Sequence, residues 1–342
     1  MNINTPVFLL TMGDPAGIGP EIAVKALCGS ALPCRIVVVG ELEILRKAAG
    51  VCGLSPIFKT VNEPDEADSE SVNVLDMGEI TASQFTTGTP QASCGRAAYQ
   101  YIIRAIELTM EKKAAGVVTN PISKESLKLA GIDYPGHTEI FADKTKTEDY
   151  SMVFLLDGVA VAHVTTHVSL RQAIELVKKE RVLKQIRLLH RSLKRLGLDP
   201  PKMAVAGLNP HAGENGLFGD EEITEIIPAI EQARKEGIEA TGPLPPDTVF
   251  NRAFKGEFNG VVAMLHDHGF VALKSRDFDH GVNITMGLPI IRTSVGHGTA
   301  FDKAWKGTAS PASLLSAIDA AYQINNNMEG TPPLRGVPYP TF

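Results

Sequence analysis

Three histidines stand in matching settings, each just past an apolar run and beside small residues. The run 161–166 leads into His167, the run 203–208 into Asn209-Pro210-His211, and the run 261–265 into His266. In open α/β sheets ligands collect beyond the carboxyl ends of the strands. Three neutral imidazoles meeting there, with one or two positions left open, suit a catalytic zinc or a similar divalent ion. A single strand-end histidine is more often a satisfied, partly buried residue, and that reading stays open beside the metal. His163, on the strand face of His167, is expected in the core or in support of the site. His190 falls inside a helical pattern, at its surface, and His268, His280 and His297 read as loop residues without a role.

A basic set follows the third histidine. Lys274, Arg276 and Arg292 surround Asn283, on strands or loops after His266. Phosphate or carboxylate needs charge-assisted donors, and arginine offers a two-pronged one. A solvated basic edge is the alternative. Arg292 argues against it, because it ends the apolar run 288–291 and meets a glycine-rich turn, Ser294-Val-Gly-His-Gly-Thr299. His137, in Tyr134-Pro-Gly-His-Thr-Glu139, is a loop candidate for ligand or general base. Asp247 follows Pro245-Pro246, and is either the cap of a helix through Phe250-Asn251 or a carboxylate poised over the site.

Nucleotide and nucleophile signatures are missing. The turn Thr11-Met-Gly-Asp-Pro-Ala-Gly-Ile-Gly-Pro-Glu21 joins a strand to a helix, but its glycines do not fit Gly-x-Gly-x-x-Gly. Neither a Walker A sequence nor a Gly-x-Ser-x-Gly elbow occurs. The turn either sets a helix N-terminus near an anion or is a tight turn whose glycines take special backbone angles.

The elements that must position these residues alternate. Strands are predicted over 7–10, 35–39, 116–118, 203–206, 260–265, 282–284 and 289–291, with helices over 20–27, 42–49, 94–111, 123–129, 181–196, 221–235 and 311–325. Ser123 is the expected cap of its helix, and Ala97, Tyr101, Ala105 and Leu108 share one face of the long one. The runs 152–156 and 159–165 meet at Asp157-Gly158, a hairpin signal. Strand–helix alternation argues an α/β fold with helices on both sheet faces, and the hairpin argues a mixed sheet and a second lobe. The acidic stretch 62–71 reads as a surface loop, and 330–342, rich in Pro and Gly, as a loose tail.

At 342 residues with 44% hydrophobic and 21% charged residues, the chain can bury one large core or two. A net charge of −6 gives no pull toward nucleic acid or an anionic membrane, so an anionic ligand needs a local basic pocket. No apolar run approaches a membrane span, and the polar start lacks a signal peptide's features, so a cytoplasmic location is expected. The 4 cysteines, Cys28, Cys34, Cys52 and Cys94, form no Cys-x-x-Cys and read as small hydrophobes.

At these residues the chain resembles the 4-hydroxythreonine-4-phosphate dehydrogenase (PdxA) family. The marks are Gly13-Asp-Pro-Ala-Gly-Ile-Gly-Pro20, Pro135-Gly-His-Thr-Glu139, Thr166-His167, Asn209-Pro-His-Ala-Gly-Glu214, His266-Asp267, Gly281-Val-Asn-Ile-Thr285 and the stretch 287–300. The resemblance implies a two-lobed fold of the isocitrate/isopropylmalate dehydrogenase type with a mixed sheet and an active-site cleft between lobes, here 1–128 plus 290–342 and 129–289. It implies a homodimer with shared sites and a divalent metal (zinc, magnesium, manganese or cobalt) on His167, His211 and His266. His137, Thr138, Lys274, Asn283 and Arg292 would bind a small phosphorylated hydroxy acid, with His137, Asp247 and Lys274 as catalytic candidates. NAD would lie along Asn209, Glu214, Gly296, Thr299 and Asp302 without a Rossmann fingerprint.

The resemblance further implies NAD-dependent oxidation of a C3 hydroxyl with loss of carbon dioxide. This chain has His266-Asp-His-Gly269 where the family usually has His-Asp-Gln-Gly. The opening turn and Gly298-Thr-Ala-Phe-Asp302 look closer to members acting on 4-phospho-D-threonate or 4-phospho-D-erythronate. His268 and Arg276 are also expected to add positive charge, which disfavours an ammonium on the substrate. The alternatives are the 4-phosphohydroxy-L-threonine enzyme of pyridoxal phosphate synthesis, a dihydrodiol dehydrogenase, an acyl or phosphoryl transferase, and a metabolite-binding protein.

Overall fold

The first strand, VFLLT over Val7–Thr11, is buried along its whole length, as a strand covered on both faces must be. A computed structural model describes residues 5–29, 31–277 and 279–328, so the expected tail at 330–342 lies outside the described residues. The chain divides into two compact units, Met1–Asp149 with Leu288–Asn325, and Tyr150–Gly287 with the chain from Asn326. Helices Lys124–Leu129 and His137–Lys144 pack on the long helix Ala92–Met110, which carries the first unit to residue 149 and past the expected boundary at 128.

The strands in chain order are β1 Val7–Thr11, β2 Arg35–Gly40, β3 Phe58–Thr60, β4 Val72–Asp76, β5 Gly116–Thr119, β6 Ser151–Leu156, β7 Val159–His163, β8 Met203–Ala206, β9 Ala240–Leu244, β10 Gly260–Ala263, β11 Val282–Met286 and β12 Ile291–Val295. In the first unit they run β3-β4-β2-β1-β5-β12, and every pairing is parallel. Helix Ala92–Met110 covers this sheet with the expected stripe, Ala97, Tyr101, Ala105 and Leu108, all buried. Ser123 caps its helix by accepting from the Ser126 amide at 3.1 Å.

In the second unit the order is β11-β6-β7-β10-β8-β9, with β11, β6 and β7 antiparallel in succession and the others parallel. The expected hairpin is present between β6 and β7. Asp157 and Gly158 have φ of 48° and 73°, the left-handed pair of a turn whose twist matches its strands. Phe154, Val161, Val261, Phe270 and Leu273 form the centre of this core.

Several elements depart from the pattern in the sequence. β9 is hidden by Gly242-Pro243 and survives because it is the edge of its unit's sheet, where a missing donor is tolerated. β12 begins at Ile291, later than expected, and so takes in Arg292. The segment after His266 is a helix, His266–Arg276, where strands or loops were expected; His268, Lys274 and Arg276 therefore all ride on it. Gly269 permits this helix to lie against β7: a Cβ there would stand 2.2 Å from His163 Nε2. Helices Leu170–Leu176 and Val249–Phe254 are also present.

Candidate active site

In the first unit the site is built around a buried guanidinium. β12 places Arg292 opposite Val117 of β5, and its side chain is 3% exposed. Nη2 donates to Thr119 Oγ1 at 2.8 Å, and the guanidinium carbon lies 5.6 Å from the centroid of the Phe141 ring. Burial pulls its pKa down and Glu139 opposes that shift; the group stays charged, because arginine does not deprotonate in proteins. A guanidinium presents a fork of donors that suits an anionic ligand.

Phe141 belongs to helix His137–Lys144, so His137 is the first residue of a helix and not a loop residue. Its Nε2 is enclosed and has no hydrogen-bond partner among the described residues. Burial first, and then Arg292, hold the imidazole well below its usual pKa, so it is neutral near pH 7. A helix N-terminus with Thr138 in its first turn, an imidazole and a buried guanidinium are together suited to a phosphate.

The glycine-rich turn after β1 is a packed element. Residues 12–20 are all buried. Gly13 has φ of 79°, and a Cβ there would come within 2.5 Å of the Pro121 carbonyl. Asp14 Oδ1 accepts from the Ala16 amide at 2.9 Å, and the Ile18 amide donates to Thr299 O at 3.1 Å. The tight-turn reading therefore describes it, and its neighbour is the second glycine-rich turn. There the Gly296 amide donates to Ser313 Oγ at 2.9 Å, while Asp302 is exposed.

The second unit gathers histidines. β7 ends at His163, which pairs with Ala263 at the end of β10, so the chain beyond each strand emerges at the same place. There the rings of His167 and His266 lie 5.8 Å apart between centroids. Two imidazoles on one tetrahedral ion place their centroids about 5 Å apart, so this pair fits. His266 Nδ1 is 2.7 Å from Asp267 Oδ1, a contact that would leave Nε2 as the nitrogen offered to a ligand. Behind it, Phe270 lies 4.5 Å from His266 and stacks on His163 at 4.6 Å and 4°. His163 is 4% exposed, and burial pushes its pKa down to about 3, which makes it a neutral packing partner. Lys274 is one turn further along the same face, its Nζ 5.3 Å from the Phe270 centroid.

His211 stands apart from that pair. Among the described residues no three His, Cys, Asp or Glu side chains form a group that could hold a metal. His211 lies in Pro210–Gly216, where five successive residues, His211–Asn215, take φ between 42° and 79°. Each non-glycine residue in that region costs roughly 1–2 kcal/mol, so the turn is held by something else. Asn209 Nδ2 donates to Glu221 Oε2 at 2.7 Å and to Glu222 Oε2 at 2.9 Å, which commits its amide to the turn. Glu214 is exposed. Asp247 is exposed too and is not a cap, since its helix starts at Val249 with Thr248 in the capping position. Asn283 lies half-buried on β11.

The extra positive charge expected around the third histidine is offset at Arg276 and withheld at His268. Arg276 is tied to Asp157 at 3.0 Å and lies over the Phe254 ring. Burial lowers the pKa of His268, which leaves it neutral. Thr119, Phe141, Phe270 and Glu222 were not visible as site residues, since only strand register and packing bring them there, whereas His163 was expected in the core or in support of the site and is buried against Phe270.

The family model described as pyridoxal phosphate biosynthetic protein PdxA matches residues 33–321. A protein of Oceanobacillus iheyensis named "Putative D-threonate 4-phosphate dehydrogenase" is 46% identical over 325 residues, 93% of this chain and 98% of its own length. One of the same name from Clostridium botulinum is 43% identical over 319 residues, 92% of this chain and 96% of its own. The solved structure of 4-hydroxythreonine-4-phosphate dehydrogenase from Klebsiella pneumoniae is 44% identical, with a TM-score of 0.85, covering 94% of this chain and 100% of that one.

Proposed function

Because this chain belongs to the family of pyridoxal phosphate biosynthetic protein PdxA, we propose that it is an NAD-dependent dehydrogenase of a 4-phosphorylated hydroxy acid. It oxidises the C3 hydroxyl of 4-phospho-D-threonate or 4-phospho-D-erythronate and releases carbon dioxide and a three-carbon keto phosphate. The observation that carries the reading is the buried Arg292 beside His137 at a helix N-terminus, a setting that suits the substrate's phosphate. The choice of a threonate-type acid rests on the names of the relatives.

His137 and Thr138 share the phosphate with Arg292, and burial keeps the His137 imidazole neutral. A water held by Asp247, which is exposed, takes the C3 proton. Lys274, on the face of the helix that bears His266 and Phe270, delivers a proton to C2 as the carboxylate leaves. Asn283 orients the substrate from β11. His167 and His266, with His211 from a neighbouring chain, would hold a divalent ion. When bound, that ion supplies Lewis acidity to the hydroxyl and carboxylate, and NAD supplies the hydride acceptor. The homodimer belongs to the same reading, supported by the exposed apolar residues Leu170, Leu217 and Phe218. No helix among the described residues is long and apolar enough to cross a membrane.

A second reading, oxidation of 4-hydroxythreonine 4-phosphate, is favoured by the Klebsiella pneumoniae structure. The neutral His268 and the paired Arg276 remove the charge argument against its ammonium group. Initial rates of NADH formation with each substrate, at matched pH and metal, test the choice. A kcat/KM at least about tenfold higher for the threonate or erythronate phosphate supports the first reading, and the reverse preference establishes the second.

A further inference from the structure

We infer that Glu222 is a positioning residue that pins the left-handed turn carrying His211 and so sets the affinity of the metal site. The inference rests on the proposal that His211 is a metal ligand. The turn is confined to the second unit and is anchored at one carboxylate. Glu222 is 2% exposed, and its Oε1 accepts the amides of Leu208 and Asn209 at 2.7 and 2.8 Å. Its Oε2 accepts Asn209 Nδ2 at 2.9 Å. These donors belong to the last residues before His211, where β8 has ended and no ladder partner serves their amides.

From the other side the turn folds back onto the same carboxylate. A Cβ on Gly213 would stand 2.6 Å from Glu222 Oε2, and one on Gly207 would stand 3.0 Å from Oε1. Glycines on both flanks therefore let the backbone close around the side chain. Glu222 opens a π-helical turn, Glu222–Ile226, at the start of helix Ile227–Lys235, a local irregularity often found at functional sites. A buried carboxylate that satisfies two amides and an amide side chain offsets the unfavourable backbone angles of His211–Asn215. Without it the turn relaxes toward ordinary angles, and His211 loses its fixed direction.

The substitution Glu222→Gln keeps the shape but sets an amide NH2 against one or more of these donors. Gly213→Ala attacks the same contact from the turn and serves if the first variant folds poorly. Amide hydrogen exchange over 208–216 and zinc affinity of the metal-free protein by calorimetry are measured for both, with His211→Ala alongside. The expected result is exchange at least about tenfold faster over 208–216, zinc binding about tenfold weaker, and unchanged exchange in β1 and β2. Wild-type exchange over 208–216 in whichever variant folds overturns the pin. Faster exchange with unaltered zinc affinity overturns its link to the metal. Unaltered zinc binding by His211→Ala overturns instead the ligand set on which the inference rests, a result that the exchange data keep separate.

Discussion

Replacing Arg292 with methionine should separate function from stability in opposite directions. The side chain is buried, donates to Thr119 Oγ1 at 2.8 Å and packs over Phe141. A hydrogen bond to a charged group contributes about 1.5–3 kcal/mol, so two prongs on a phosphate contribute about 3–6 kcal/mol. At about 1.4 kcal/mol per decade, kcat/KM should fall by about 10²–10⁴. Methionine fills a similar volume without a charge, and exchanging a buried ion for an apolar side chain is often neutral or stabilising. The melting temperature should therefore hold or rise. Initial rates against substrate concentration, with inorganic phosphate as a competitive inhibitor, measure the first effect, and calorimetry the second. Arg292→Lys should recover only part of the rate, because an ammonium cannot reproduce the fork. A clear loss of stability with kcat/KM within tenfold of wild type would refute the reasoning and make Arg292 a structural residue.

Thr119→Val removes a hydrogen bond to the charged Arg292, of about 1.5–3 kcal/mol, and should raise KM for the substrate by up to about ten- to 150-fold, with kcat little changed in steady-state assays. Tyr101→Phe removes the hydroxyl that donates to Glu41 Oε1 at 2.9 Å, and should cost about 1.5–3 kcal/mol in denaturant titrations without altering KM. Burial raises the Asp14 carboxyl above its ordinary 3.8, so the folded state binds that proton more tightly than the unfolded chain. This contribution is present below pH 3.8 and lost as pH rises through the raised pKa. Asp14→Asn should flatten that part of the stability–pH curve, and an unchanged slope would contradict the assignment.

Much of the fold was legible because its signals are local. The buried runs of β1 and β2, the stripe of helix Ala92–Met110, the Ser123 cap and the Asp157-Gly158 turn each need only neighbouring residues. β9 and helix His266–Arg276 were hidden because Gly242-Pro243 and Gly269 carry breaker signals that tertiary packing overrides. His167, His266 and Arg292 could be singled out by residue type and place. Their surroundings could not, since the meeting of Arg292 with Thr119 depends on the register of β12 against β5. The charge argument at 268–276 failed for the same reason: composition places Arg276 near the site, but Asp157, at the tip of the hairpin between β6 and β7, pairs with it.

The most direct test of the proposed reaction is to supply 4-phospho-D-threonate and NAD to the zinc-loaded protein and count products before and after chelation. The account predicts NADH and carbon dioxide in equal amounts, no turnover once metal is stripped, and recovery on adding zinc. NADH without carbon dioxide, or full turnover in chelator, would contradict it.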